Sequence, residues 1–95
     1  MDRLEALRKL ITQNPRDTFA RYALAMALAG AGQFDEAVAE FHTVLSLDQN
    51  YSVAYFQTGQ VLEKLGRLEE AREMYRRGIE VTGRLGQGHA RDQLE

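Results

Sequence analysis

The sequence predicts an all-α fold in which antiparallel helix-turn-helix units stack side by side as a short α-α solenoid. Three observations lead there. The chain matches itself at a spacing of 34 residues, apolar residues recur at steps of three and four, and glycines stand at the ends of helical stretches. Ala20 to Leu47 aligns with Ala54 to Val81 without a gap. Ala20 meets Ala54, Leu28 meets Leu62, Gly32 meets Gly66 and Ala37 meets Ala71, while Tyr22 meets Phe56, Ala25 meets Gly59, Phe41 meets Tyr75 and Leu45 meets Ile79. Small, aromatic and glycine positions in one register mark a supersecondary unit that cannot bury its apolar face alone and must stack on a neighbour.

The elements follow in order. Leu4, Leu7, Leu10 and Ile11 form one face of an amphipathic helix from about Asp2 to Thr12, placed where the second helix of an earlier unit would stand. Asp17 and Asn50 are the expected N-caps of two further helices, about Asp17–Ala31 and Tyr51–Leu65, because their side chains can accept from the open N–H groups of a first turn. Gly32 and Gly66 follow these helices, where a left-handed cap costs glycine little. Phe34, Ala37, Val38, Phe41, Val44 and Leu45 then mark the face of a second helix, repeated by Leu68, Ala71, Tyr75, Gly78 and Ile79. Past Gly83 the register predicts another, weak helix starting near Gly86. The expected organisation is one domain over 1–95: a partial repeat at 1–15, full repeats at 18–51 and 52–85, and a capping or truncated helix at 86–95.

Composition limits what such a chain does. The sequence has 95 residues, 44% hydrophobic and 27% charged, with a net charge of −2 and both signs interleaved. That balance gives no large electrostatic footprint for nucleic acid or an acidic membrane surface. Cysteine is absent, so disulfides and thiolate metal sites are excluded. No stretch approaches the roughly 18 apolar residues of a membrane span, and Met1–Glu5 lacks the apolar run of a secretory signal. The expected location is therefore cytoplasmic.

Several local signals point to solvated surface and not to chemistry. His42 and His89 lack a second ligand at metal spacing, and His42 falls on the polar side of its helix. Asp35-Glu36 and Glu69-Glu70 sit in first helical turns, where carboxylates favour the positive end of the helix dipole. Gly83-Arg84-Leu85-Gly86-Gln87-Gly88 has neither the glycine order nor the preceding strand of a phosphate loop. Glu69, Arg72, Glu73, Arg76 and Arg77 form a face of interleaved charge with a favourable Glu73–Arg77 spacing. No catalytic residues, cofactor or metal are assigned, and the chain is not expected to be an enzyme.

In Leu24-Ala25, Leu28, Gly32, Ala37 and Phe41, and again in Tyr55, Gly59, Leu62, Gly66, Ala71 and Tyr75, the sequence resembles the tetratricopeptide repeat family. The resemblance covers Thr18 to about Leu85. Departures are local: the family's tryptophan is Arg21, one of its leucines is Thr58, and its closing proline is Gln49 and then Gly83. The resemblance implies a right-handed superhelix whose first helices line a concave groove. By register the groove positions are Phe19, Tyr22, Met26 and Ala29, then Val53, Phe56, Gln60 and Glu63.

A separate observation agrees: between Thr18 and Gly32 the only charged residue is Arg21, so that helix is apolar nearly all round while Leu24 and Leu28 already supply its core face. Phe19, Tyr22 and Met26 then form a second stripe. Three covers suit it: a peptide or helix of another protein, a second copy of the chain in a homo-oligomer, or the C-terminal segment folded back. A fourth account makes part of the stripe ordinary packing on the next first helix through Val53 and Phe56. The expected function is protein–protein interaction, with Phe19, Tyr22, Met26, Val53, Phe56 and Gln60 contacting the partner, and self-association or a place in a longer repeat scaffold as the alternatives. Some family members grip a partner's C-terminal carboxylate with basic groove residues. Tyr22, Met26 and Phe56 occupy those positions here, which implies apolar recognition, with Gln60, Glu63 and Lys64 adding polar specificity at one end.

Overall fold

The computed structural model describes residues 2–94, with side chains as far as Gly86. Five helices follow one another: α1 (Arg3–Gln13), α2 (Thr18–Gly30), α3 (Phe34–Leu47), α4 (Ser52–Lys64) and α5 (Leu68–Leu94). α2 packs chiefly on α3 and α4 on α5 as two hairpins, while α1–α2 and α3–α4 contacts join the units into an α-α solenoid. His89 and the side chains of 87–95 lie outside the described residues.

Local chemistry sets the helix ends. The Asp2 and Asp17 carboxylates accept from Glu5 N at 2.9 Å and Ala20 N at 3.0 Å, capping α1 and α2. α2 and α4 end identically. Gly32 (φ 79°) and Gly66 (φ 76°) take the left-handed conformation, and the following residue's N–H reaches back to the carbonyl five before it, Gln33 to Leu28 and Arg67 to Leu62, each at 2.9 Å. These are paired Schellman closures, which need φ > 0 at the glycine.

Two expectations are corrected. Asn50 is not the cap of α4: Tyr51 holds that position without a side-chain cap bond, and Asn50 instead donates its backbone N–H to the Asp48 carboxylate at 2.9 Å. Asp48 uses its side chain to form the turn, which removes Asn50 from the first turn of α4. The separate helix expected after Gly83 is not a separate element, because α5 runs unbroken from Leu68 to Leu94. The first unit turns at Asp48, whose backbone is extended (φ −147°, ψ 99°). The second has Thr82-Gly83-Arg84 there, with no aspartate or proline to stop the helix. Thr82 Oγ1 donates back to the Gly78 and Ile79 carbonyls, a bond made inside a continuing helix.

The core is a line of side chains between the hairpins. Leu28, Phe41, Val44 and Leu62 are fully buried together with Ala25, Ala37 and Ala54, each large one contributing roughly 1.5–3 kcal/mol of burial. Thr58, also fully buried, satisfies its hydroxyl on the Ala54 carbonyl at 2.6 Å, so this departure from leucine leaves no orphaned polar group. Arg21 is accounted for as well. Its guanidinium donates to both Glu40 oxygens at 3.1 and 3.2 Å and to the Pro15 carbonyl at 2.9 Å, tying the α1–α2 turn to α3 where the family places a tryptophan.

Gly59 is where α4 and α5 come closest. A Cβ built there would lie 2.5 Å from Cε1 of Tyr75. The Tyr75 ring takes that space, and its hydroxyl donates to the Glu63 carboxylate. Burial, then the hydrogen bond to anionic Glu63, push the Tyr75 phenol up to about 12.

Two glycine-to-alanine changes should therefore act in opposite directions. Gly59→Ala should destabilise by about 1–3 kcal/mol through overpacking. Gly83→Ala, at a helical position with open space around it, should stabilise by about 0.5–1 kcal/mol. Urea unfolding midpoints measure both. Because the folded state raises the Tyr75 pKa, its stabilising effect is complete below pH about 10 and is lost as the pH climbs towards 12. An alkaline titration of phenolate absorbance should show a late-ionising tyrosine that disappears in Tyr75→Phe.

Candidate functional site: the outer face of α2 and α4

The residues expected to meet a partner lie on register-equivalent faces of α2 and α4, which touch one another. Phe19 is 73% exposed, Val53 49% and Met26 37%, and Gln60 is also exposed. Phe19 is thus not inter-repeat core. Tyr22 and Phe56, by contrast, are half-buried. The Tyr22 ring meets Phe41 edge-on at 5.9 Å and Tyr51 at 5.2 Å. Burial, and next the neighbouring Tyr51, raise its phenol above the usual tyrosine range. The Phe56 ring lies over α5 at Gly78, where an added Cβ would come within 3.0 Å of it.

The face therefore has two layers. Tyr22 and Phe56 are a fixed aromatic floor that joins the two helices of each hairpin. Phe19, Met26 and Val53 stand out from it. The six residues expected to contact a partner thus divide into four exposed ones, Phe19, Met26, Val53 and Gln60, and two half-buried aromatics, Tyr22 and Phe56.

Polar residues assigned to one end are partly engaged elsewhere. Glu63 receives the Tyr75 hydroxyl, and Lys64 Nζ lies 5.6 Å from the centre of the Phe34 ring, turned towards α3.

An unforeseen feature adjoins Met26. A cleft of about 450 Å³ opens between α1 and α2, lined by Arg3, Leu4, Met26, Ala27, Gly30 and Ala31. Its walls are apolar and Arg3 supplies a positive rim. The register offers no groove position on α1, so only the antiparallel placement of the α1 start beside the α2 end could have shown it. A second cleft, of about 360 Å³, lies among His42, Leu62, Glu69, Glu70, Glu73, Met74 and Arg77. Hydrogen bonds from Arg76 and then Arg77 hold the Glu73 carboxyl down at about 2, so Glu73 is ionised and paired at neutral pH. His42 is exposed, as its position on the polar side of the helix led us to expect.

Among the described residues no three His, Cys, Asp or Glu side chains come together as a metal site, and no helix is long and apolar enough to cross a membrane. The arrangement offers contact chemistry: apolar anchors, a shallow slot and one guanidinium.

Known proteins place this arrangement. The tetratricopeptide repeat profile matches residues 4–51 and again 22–88. Small glutamine-rich tetratricopeptide repeat-containing protein 2 of Mycosarcoma maydis is 33% identical over 78 residues, which is 82% of this chain and 22% of that protein. Among solved structures, MamA superposes with a TM-score of 0.83 at 30% identity over 85% of this chain and 47% of that one. YrrB, described as a TPR protein with an unusual peptide-binding site, superposes with a TM-score of 0.81 at 29% identity, covering 94% of this chain and 46% of its own. The chain spans less than half the length of each of these relatives. With the repeat profile matching most of its length and its hairpins stacked in the same order, the chain belongs to the tetratricopeptide repeat family.

Proposed function

We propose that the chain binds an apolar or amphipathic segment of another protein, a helix or an extended peptide, across the outer face of α2 and α4. One observation carries this reading. Three large apolar side chains, Phe19, Met26 and Val53, are left exposed on adjoining faces of helices whose core-facing residues, Leu24, Leu28, Ala54 and Leu62 among them, are buried. Covering such side chains yields roughly 1.5–3 kcal/mol each. The chain invests an aromatic floor beneath them and fills its core without them. A structural likeness to a protein described by its peptide-binding site supports the same class of role.

The ligand would lay bulky apolar residues at i, i+3 or i+4, and i+7 against Phe19, Val53 and Met26. One more apolar side chain would enter the slot beside Leu4 and Ala27, with a carboxylate near Arg3. Gln60 supplies a polar contact at the Met26 end. After the costs of association and ordering, a few anchors of this size correspond to affinity on the order of micromolar. No chemical step is assigned to the site; its role is to hold a partner.

Selection from a displayed random-peptide library, followed by fluorescence anisotropy on the selected peptides, tests this directly. Sequences with the apolar spacing above should be enriched and should bind with Kd of order micromolar. Phe19→Glu with Val53→Glu should weaken them by about tenfold or more while helical circular dichroism is retained. Equal binding by that variant removes the proposed site.

A further inference from the structure

The sequence has three methionines and no cysteine, so thioethers are its only readily oxidised sulfur atoms. Met1 lies outside the described residues. The other two sit in opposite surroundings. Met74 is 6% exposed and belongs to the buried core, whereas Met26 is 37% exposed, two turns beyond Phe19 on the face of α2 that adjoins the slot. A sulfoxide at Met74 would bury an unsatisfied oxygen, and its burial keeps oxidants away.

The internal repeat shows what a polar group does at the Met26 position. The counterpart of Met26 is Gln60, exposed on α4. α2 packs against α4 as the preceding first helix, and Gln60 is exposed all the same. Exposure at this register position therefore does not depend on whether a further helix precedes α2. Glutamine and methionine sulfoxide are both unbranched side chains that end in an oxygen acceptor. α4 carries the one beside buried Gly59 and Val61, so α2 can carry the other beside buried Ala25.

We propose that Met26 is a reversible oxidation site, whose conversion to the sulfoxide by a peroxide releases a partner from the α2–α4 face while the fold stays intact. The inference rests on the reading of that face as a docking site. In the step, a lone pair of the Met26 sulfur displaces hydroxide from one peroxide oxygen, so that an S–O bond forms as the O–O bond breaks. The hydroxide takes the proton of the new S–OH group and leaves as water; sulfur loses two electrons and the peroxide gains them. An apolar anchor becomes a strong acceptor, which is satisfied in water and orphaned beneath an apolar ligand. A reductase working through two thiols restores the thioether, releasing water as the thiols join in a disulfide. A bound partner covers Met26, so occupancy slows the oxidation.

The test treats the whole chain with hydrogen peroxide, removes the peroxide, and follows anisotropy of a labelled, methionine-free peptide selected from the library by the unaltered chain. Peptide-map mass spectrometry should show Met26 oxidised about tenfold faster than Met74 or more, and more slowly with the peptide at saturation. With Met26 converted, helical circular dichroism should be retained and the peptide should bind about fivefold more weakly or worse. Met26→Gln should reproduce that loss without peroxide. The affinity of Met26→Leu should not change on peroxide treatment, which separates Met26 from Met1. A sulfoxide reductase with dithiothreitol should restore binding to the oxidised chain. Phe19→Glu with Val53→Glu distinguishes two failures. If that variant loses the peptide but oxidised Met26 does not weaken it, this inference alone is overturned. If that variant binds as the unaltered chain does, or no peptide is selected, the docking face is wrong and the inference falls with it. Equal oxidation rates at Met26 and Met74, or loss of helical content on conversion of Met26, also overturn it.

Discussion

The close approach of α4 and α5 at Gly59 is the contact on which the rest of the second unit depends. A ring of Tyr75 stands where any side chain at position 59 would go. A glycine there permits helix axes close enough for Phe56 to rest on Gly78 from the other side, so two aromatic–glycine contacts lock one hairpin. The same ring carries its hydroxyl to Glu63 and fixes the end of α4. In the first unit the corresponding pair is Ala25 and Phe41, both fully buried. One methyl more on one helix is matched by one hydroxyl less on the other. Phe19, Met26 and Val53 fall in register on the faces of α2 and α4 that these hairpin contacts do not use, and they are exposed.

Stacking explains the exposure pattern at the edges of the molecule. A helix of the α3 kind has two neighbours to satisfy, its own hairpin partner and the first helix of the next unit. α3 has both, and Val38, Phe41, Val44 and Leu45 are all buried. α1 has only α2, so Ile11 is buried and Leu10 is not. α5 has only α4, so Ala71 and Met74 are buried and Ile79 is not. Position in the stack, and not hydrophobicity of the residue, decides which leucines and isoleucines meet water.

Much of this was legible in the sequence, and the reasons are physical. The match of Ala20–Leu47 to Ala54–Val81 gave helix order and core, because a repeated unit must repeat its buried positions. Gly32 and Gly66 marked the left-handed closures, since only that conformation explains glycine at both sites. Features set by side-chain competition were not legible. Asp48 took the turn that Asn50 was expected to cap, because its carboxylate accepts from the Asn50 backbone N–H and holds that residue in the turn before α4. α5 passed through Gly83, as glycine permits a break but does not compel one. Arg21 appeared as a missing tryptophan, yet its bonds to Glu40 and Pro15 depend on residues distant in the repeat. At the candidate site, exposure of Phe19 and Met26 followed from the apolar excess of α2. The burial of Tyr22 and the slot beside Leu4 needed the neighbouring helices in place.

On the proposed function, the apolar residues left outside the hairpins on α2 and α4 are there to be covered. Methyl NMR of the Met26 and Val53 side chains, titrated with a library-selected peptide, tests it most directly. Saturable shifts are expected at both methyl positions, with intermolecular contacts from them to the peptide and the buried Leu24 and Leu28 methyls nearly unmoved. Saturation of binding with Met26 and Val53 unchanged, and no contact from either to the peptide, would contradict it.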